Sequence, residues 1–92
     1  MIQGFRHRGH ERFFLSEVKS GIRSDHADRL RIVLGRLAAA TAPKDMDLPG
    51  LRLHPLQGRF EGRWSVTISG NWRVTFAFSG KDVLDVDYED YH

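Results

Sequence analysis

Apolar side chains recur along this chain with two different periods, and the change falls near residue 51. In the first half, Phe14, Leu15 and Val18 share one face of a helix predicted over Arg12–Ser20. Gly21 supplies a left-handed stop, and Ile22 is placed for the apolar contact beyond it. Leu30, Val33, Leu34 and Leu37 then follow at i, i+3, i+4 and i+7. That spacing predicts an amphipathic helix running from an N-cap at Ser24 to about Thr41, with Asp25 and Asp28 in its positive first turn. Pro43 forbids continuation, and Pro43–Gly50 reads as a linker of turn residues. Ahead of both helices, Met1–Phe5 reads as a short strand.

From Leu51 onward the alternation has period 2, the mark of a half-buried strand. Leu51 and Leu53 alternate with Arg52 and His54 until Pro55 ends or kinks the strand. Trp64, Val66 and Ile68 alternate with Ser65, Thr67 and Ser69; Trp72, Val74, Phe76 and Phe78 with Arg73, Thr75 and Ala77; Leu84, Val86 and Tyr88 with Asp85 and Asp87. Antiparallel pairing must keep the apolar faces together. A two-residue loop at Gly70-Asn71 would set Ser69 against Trp72. A three-residue loop, Ser69-Gly70-Asn71, instead pairs Ile68 with Trp72, Val66 with Val74 and Trp64 with Phe76. The same parity predicts an odd loop at Ser79–Lys81. The expected architecture is α+β, with two N-terminal helices packed on one face of an antiparallel sheet.

The other sheet face then carries the candidate chemistry: Arg52, His54, Ser65, Thr67, Arg73 and Thr75, with Asp85 and Asp87 along one side. A histidine titrates near neutral pH, and an arginine is a fixed cation that grips phosphate with paired donors. Together they suit metal-free cleavage of RNA by its own 2′-hydroxyl. The plainer readings stand beside this one. On pattern alone His54 reads first as a surface strand histidine, and Arg73 as the partner of Asp85 or Asp87 across the strands. Trp64 and Trp72 face the core. His7 and His10 lack a nearby third ligand for a metal. His26 falls in solvent in the first turn of the second helix.

Length, charge and composition narrow the classes further. Ninety-two residues with 40% hydrophobic and 11% aromatic side chains make one small folded domain. The absence of cysteine removes disulfides, thiol catalysis and thiolate metal sites, and fits a reducing compartment. Charge within the first six residues argues against a secretory leader, and no apolar run is long enough to span a bilayer, so a cytoplasmic location is expected. The net charge of +2 conceals an asymmetry: residues 1–80 carry 13 Lys or Arg against 7 Asp or Glu, and residues 81–92 one Lys against five acids. Arginine far outnumbers lysine in that basic body, which favours a polyanion partner. The chain closes on Asp90-Tyr91-His92, and a terminal histidine that folds back beside His54 would supply a second proton-transfer group. Parity puts Tyr91 on the polar face with Arg73 and His92 on the opposite one, so the tail must bend to bring His92 there.

Four blocks in order, Leu53-His54-Pro55-Leu56-Gln57-Gly58, Gly62-Arg63-Trp64-Ser65-Val66, Gly70-Asn71-Trp72-Arg73-Val74-Thr75-Phe76 and Asp87-Tyr88-Glu89-Asp90-Tyr91-His92, together resemble the HigB toxins, a branch of the RelE/ParE superfamily. The opening Ile2–Gly9 resembles that family's start, so the likeness spans the chain. The resemblance implies a microbial-RNase-like sheet and a ribosome-dependent endoribonuclease that cuts mRNA without metal or cofactor. It also implies a HigA-type helix-turn-helix antitoxin, through which alone the toxin would meet DNA. By position, His54 matches the family's active-site histidine, Arg73 its phosphate-facing arginine, and Asp90, Tyr91 and His92 its catalytic tail. Gln57 stands where the family often has lysine, leaving Arg52, Arg59 and Arg63 as nearby phosphate contacts. Arg6, Arg8, Arg12, Arg23, Arg29, Arg31 and Arg36 are the expected contacts to small-subunit ribosomal RNA; no membrane partner is expected. Two rivals share the fold: a toxin that binds a protein such as gyrase, and a non-catalytic basic RNA-binding module.

Overall fold

In the computed structural model, residues 2–5, 23–56 and 62–90 are described. The helix expected over Arg12–Ser20, with Gly21 and Ile22, lies outside the described residues; so do His7, His10, Arg6, Arg8, Gln57, Arg59, Tyr91 and His92.

A 3-10 turn, Ser24–His26, runs directly into the helix α1, Ala27–Ala39. Ser24 lies inside that turn and does not cap; Arg23 stands ahead of it in extended conformation, without a side-chain cap. What holds the approach is the fork of Arg23 on Asp25, at 3.1 and 3.0 Å. α1 stops two residues short of Thr41 because Asp45 captures the next backbone donors. The N–H groups of Thr41 and Ala42 donate to its carboxylate at 2.9 and 3.2 Å, an alternative that competes with helical bonds. These bonds, the Thr41 N–H first, hold the Asp45 carboxyl below its usual range. The Pro43–Gly50 segment is more than a linker. A second 3-10 turn, Pro43–Met46, plants Met46 in the core with none of its surface exposed.

Four strands follow: β1 (His54–Pro55), β2 (Arg63–Ser69), β3 (Trp72–Ser79) and β4 (Asp82–Asp90), antiparallel and in sequential order. Trp64 meets Phe76 and Val66 meets Val74, as parity requires, but both hairpin loops have two residues rather than three. Ser69 pairs with Trp72, and the odd residue sits in a bulge at Ile68. Ser79 pairs with Asp82, and the second odd residue sits in β4 near Asp85, whose φ is +52°. Each loop begins with a glycine at positive φ, Gly70 at 56° and Gly80 at 60°, which is what a II′ hairpin loop needs at its first position. The two-residue loop matches the twist of the strands, so the extra residue is displaced into the ladder.

The β4 bulge changes which residues face the core. Val83, Val86 and Tyr88 are buried, whereas Leu84, expected inside, lies opposite Ala77 on the other face. Residues 2–5 run parallel to β4 along its outer edge, with bridges Ile2 to Val83 and Phe5 to Val86 that cover the edge. Leu30, Val33, Leu34 and Leu37 of α1 are fully or almost fully buried in the core with Val66, Val74, Phe76 and Val86. Each such side chain contributes about 1.5–3 kcal/mol by leaving water. Among the described residues, no helix is long and apolar enough to cross a membrane.

Candidate active site on the polar sheet face

The register builds the site from four strands. His54 stands opposite Ser65, Ser65 opposite Thr75, and Thr75 opposite Asp87. A second row, two residues along, runs Thr67, Arg73, Glu89. His54 and Arg73 therefore share the face directed away from the α1 core, two strands and two residues apart. At about 4.8 Å per strand and 3.4 Å per residue their backbones lie about 12 Å apart, a gap that an imidazole and a guanidinium can close around one phosphate.

His54 is exposed, and its ring is oriented by the chain just before it. Its Nδ1 lies 3.2 Å from the Arg52 carbonyl. A carbonyl only accepts, so Nδ1–H donates, and neutral His54 presents a bare Nε2 lone pair. The carbonyl comes from a residue at φ +52°, a left-handed conformation uncommon outside glycine. That turn also lets Leu51, one residue earlier, accept from Thr67 N–H at 2.7 Å and so join the edge of β2. The Arg52 side chain itself is exposed.

Arg73 is half-buried, and its Nη1 donates to Thr67 Oγ1 at 3.3 Å. It does not stand opposite Asp85 or Asp87. The short loop and the bulge slide β4 by two residues, so Glu89 faces it instead. Asp85 is taken by Arg63, whose Nη1 lies 3.8 Å from the carboxylate. Arg63 also donates from Nη2 to Thr75 Oγ1 at 2.9 Å, and its side chain is only 12% exposed. In the first row, Ser65 is wholly buried, and among the described residues its Oγ finds no hydrogen-bond partner. Asp90 is exposed, and the register sets it opposite Trp72, on the core side of the strand rather than beside His54 and Arg73.

The arginines on and before α1 are less free than charge counting suggests. Arg23 is forked onto Asp25 and Arg31 bonds Asp28 at 3.1 Å. Arg29 donates to the Gly50 carbonyl at 2.6 Å, tying the helix to the loop before β1. Arg36 is exposed near Asp45 and Ala40. His26 departs furthest from expectation: it is 2% exposed and bonded through Nδ1 to the Tyr88 hydroxyl at 2.5 Å. Burial, outweighing Asp25, pushes its pKa below the ordinary histidine value. One sequence signal for this pair was available, because a tyrosine on the apolar face of the last strand needs a polar partner.

Comparison with known proteins bears on the family and the fold. Residues 3–92 match a family described as HigB-like toxin, the RelE-like toxin of the type II toxin–antitoxin system HigB. The chain is 39% identical over 92 residues to a protein named Endoribonuclease HigB from Proteus vulgaris, covering 100% of each chain. It also shares the fold of a YafQ mutant from E. coli solved by crystallography, with a TM-score of 0.64 at 17% identity over 98% of this chain and 91% of that one.

Proposed function

The chain belongs to the HigB-like toxin family, the RelE-like toxins of type II toxin–antitoxin systems, and from that premise we propose that it is an endoribonuclease cutting mRNA on the ribosome. A type II system implies an antitoxin partner. We take it to be a HigA-type helix-turn-helix protein, through which any contact with DNA is indirect, and the site of action to be the cytoplasm.

One observation carries the reading: His54 and Arg73 lie on one polar sheet face, and the Arg52 carbonyl leaves His54 Nε2 free to accept a proton. In the proposed step Nε2 takes the proton of a ribose 2′-hydroxyl, and O2′ bonds to the adjacent phosphorus. Arg73 offsets the charge that grows on the non-bridging oxygens, and the bond from phosphorus to O5′ breaks. His92 gives O5′ its proton, leaving a 2′,3′-cyclic phosphate and a 5′-hydroxyl. Tyr91 positions the RNA or this acid, and Asp90, set on the core side of β4, takes no part in the step. Each proton transfer is worth about 10²–10⁴ in rate. Arg52, Arg59 and Gln57 are the residues taken to contact the strand. So small a domain has few groups to orient single-stranded RNA, so the ribosome supplies the alignment. Arg36, with Arg6, Arg8 and Arg12, carries the docking to ribosomal RNA, and Arg23, Arg29 and Arg31 add charge while bound internally. Ribosome association is then steeply salt-dependent, and a flat salt response in sedimentation excludes that docking.

The test is cleavage of a defined mRNA by purified, antitoxin-free protein, with and without programmed ribosomes, mapped by primer extension. Cuts are expected only with ribosomes, and are lost in His54→Ala and His92→Ala. No cuts from folded wild-type protein would overturn the nuclease reading.

A further inference from the structure

Arg63 is placed as no substrate-binding arginine needs to be. It opens β2, yet its guanidinium crosses β3 and donates to the backbone carbonyl of Asp85 on β4 at 3.0 Å, besides its bond to Thr75 Oγ1. Asp85 is where β4 bulges, in a left-handed conformation that any residue with a Cβ adopts only at a cost. Between Thr75 and Ala77 the β3–β4 pairing shifts register, so the regular ladder is broken beside the bulge. On the outer side the bulge is flanked by backbone bonds from Gln3 N–H to Val83 and from Val86 N–H to Gly4, at 2.7 and 3.0 Å. On the inner side the Arg63 guanidinium bonds across the gap.

The bulge decides the face of everything after it. Before it Val83 points into the core; after it Val86 and Tyr88 do, and Asp87 and Glu89 stand beside Thr75 and Arg73. Strict alternation continued from Val83 would bury positions 85, 87 and 89, all acidic, and turn Val86 and Tyr88 outward. We propose that Arg63 is a positioning residue that locks the β4 bulge, and so fixes which residues of the last strand share a face with His54 and Arg73, rather than a ligand of the RNA phosphate. The proposal revises the sequence expectation for Arg63 and rests on the nuclease reading only for its kinetic arm.

That arm compares Arg63→Ala and the double variant Arg63→Ala/Asp85→Gly on programmed ribosomes. Arg63→Ala is expected to lower kcat at least about tenfold with KM within about twofold and its salt dependence unchanged. Glycine takes positive φ freely, so the double variant is expected to regain most of that kcat. A rise in KM with kcat preserved, and a salt slope smaller by about one, would mark a direct phosphate contact and overturn the proposal; so would failure of the double variant to recover. The second arm reads the register without activity. NMR contacts between Arg73 and Glu89, and between Val74 and Tyr88, are expected to weaken in Arg63→Ala and return in the double variant. Should Arg63→Ala fail to fold, Arg63→Lys, which keeps one donor, replaces it in both arms. Intact contacts in the single variant, Arg63→Ala or the Arg63→Lys that replaces it, refute the clamp even if the wild type proves to be no nuclease.

Discussion

Tyr88→Phe removes a single oxygen from the junction of helix and sheet, and the structure sets its cost. His26 is 2% exposed, its ring edge-on to Trp72 at 5.5 Å, while Trp72 and Tyr88 stack at 4.6 Å. The Tyr88 hydroxyl and His26 Nδ1 share one buried hydrogen bond. Phenylalanine preserves the stacked ring, so the loss is one buried hydrogen bond plus an orphaned imidazole nitrogen, about 1–3 kcal/mol. In a domain of this length that lowers Tm by about 5–20 °C.

The same pair gives stability a pH dependence of definite sign. Burial holds His26 below its ordinary value of 6.5, with Arg23 adding to the shift and Asp25 opposing it. As pH falls through 6.5 the unfolded chain takes up this proton before the folded one does, so the His26 contribution is full above that pH and declines below it. Burial also raises the Tyr88 phenol above 10.0, so the folded state keeps its proton longer and loses stability as pH rises past 10.0. Urea unfolding followed by circular dichroism at pH 8, 7, 6 and 5.5 tests the acid limb, with His26→Leu as the non-titrating reference. The wild type should lose stability relative to His26→Leu on acidification. A constant gap, or a Tyr88→Phe cost under about 0.5 kcal/mol, refutes the reasoning.

Two further substitutions probe the polar face. Ser65→Ala deletes a buried hydroxyl that has no partner among the described residues, so urea unfolding should show a gain of about 1 kcal/mol; a loss of that size would mean the hydroxyl is satisfied in solution. Arg52→Gly relieves the positive φ, worth about 1–2 kcal/mol, against about 0.5–1 kcal/mol for the greater freedom of glycine when unfolded. Its midpoint should rise slightly while ribosome-dependent cleavage falls, and a drop in stability would show that the left-handed turn carries no strain.

Much of this was legible in the chain. The period of Leu30, Val33, Leu34 and Leu37 located α1 and its buried face, and the β alternation placed His54, Ser65, Arg73 and Thr75 together. The misses are tertiary. Ser24 has the chemistry of a cap, but Arg23 and Asp25 settle the approach by pairing with each other. Thr41 has room in the helical pattern, but Asp45, four residues on, claims its N–H. His26 looks solvent-facing because local sequence carries no sign of Tyr88, 62 residues away.

The loop error has a more general cause. Alternation constrains only whether the residues between two facing positions are odd or even in number, and an odd loop satisfies that as well as an even loop with a bulge. The choice falls to backbone energetics. A glycine at the first loop position favours the two-residue turn, and the surplus residue moves to where something can hold it. Here the consequence is chemical. A three-residue loop at Ser79–Lys81 would have set Arg73 opposite Asp87; the bulged register sets it opposite Glu89 and leaves Asp85 to Arg63. Both registers keep the apolar faces together, so hydrophobic pattern cannot distinguish them. The acidic residue that neighbours the candidate phosphate-binding arginine is therefore decided by one left-handed residue in the last strand.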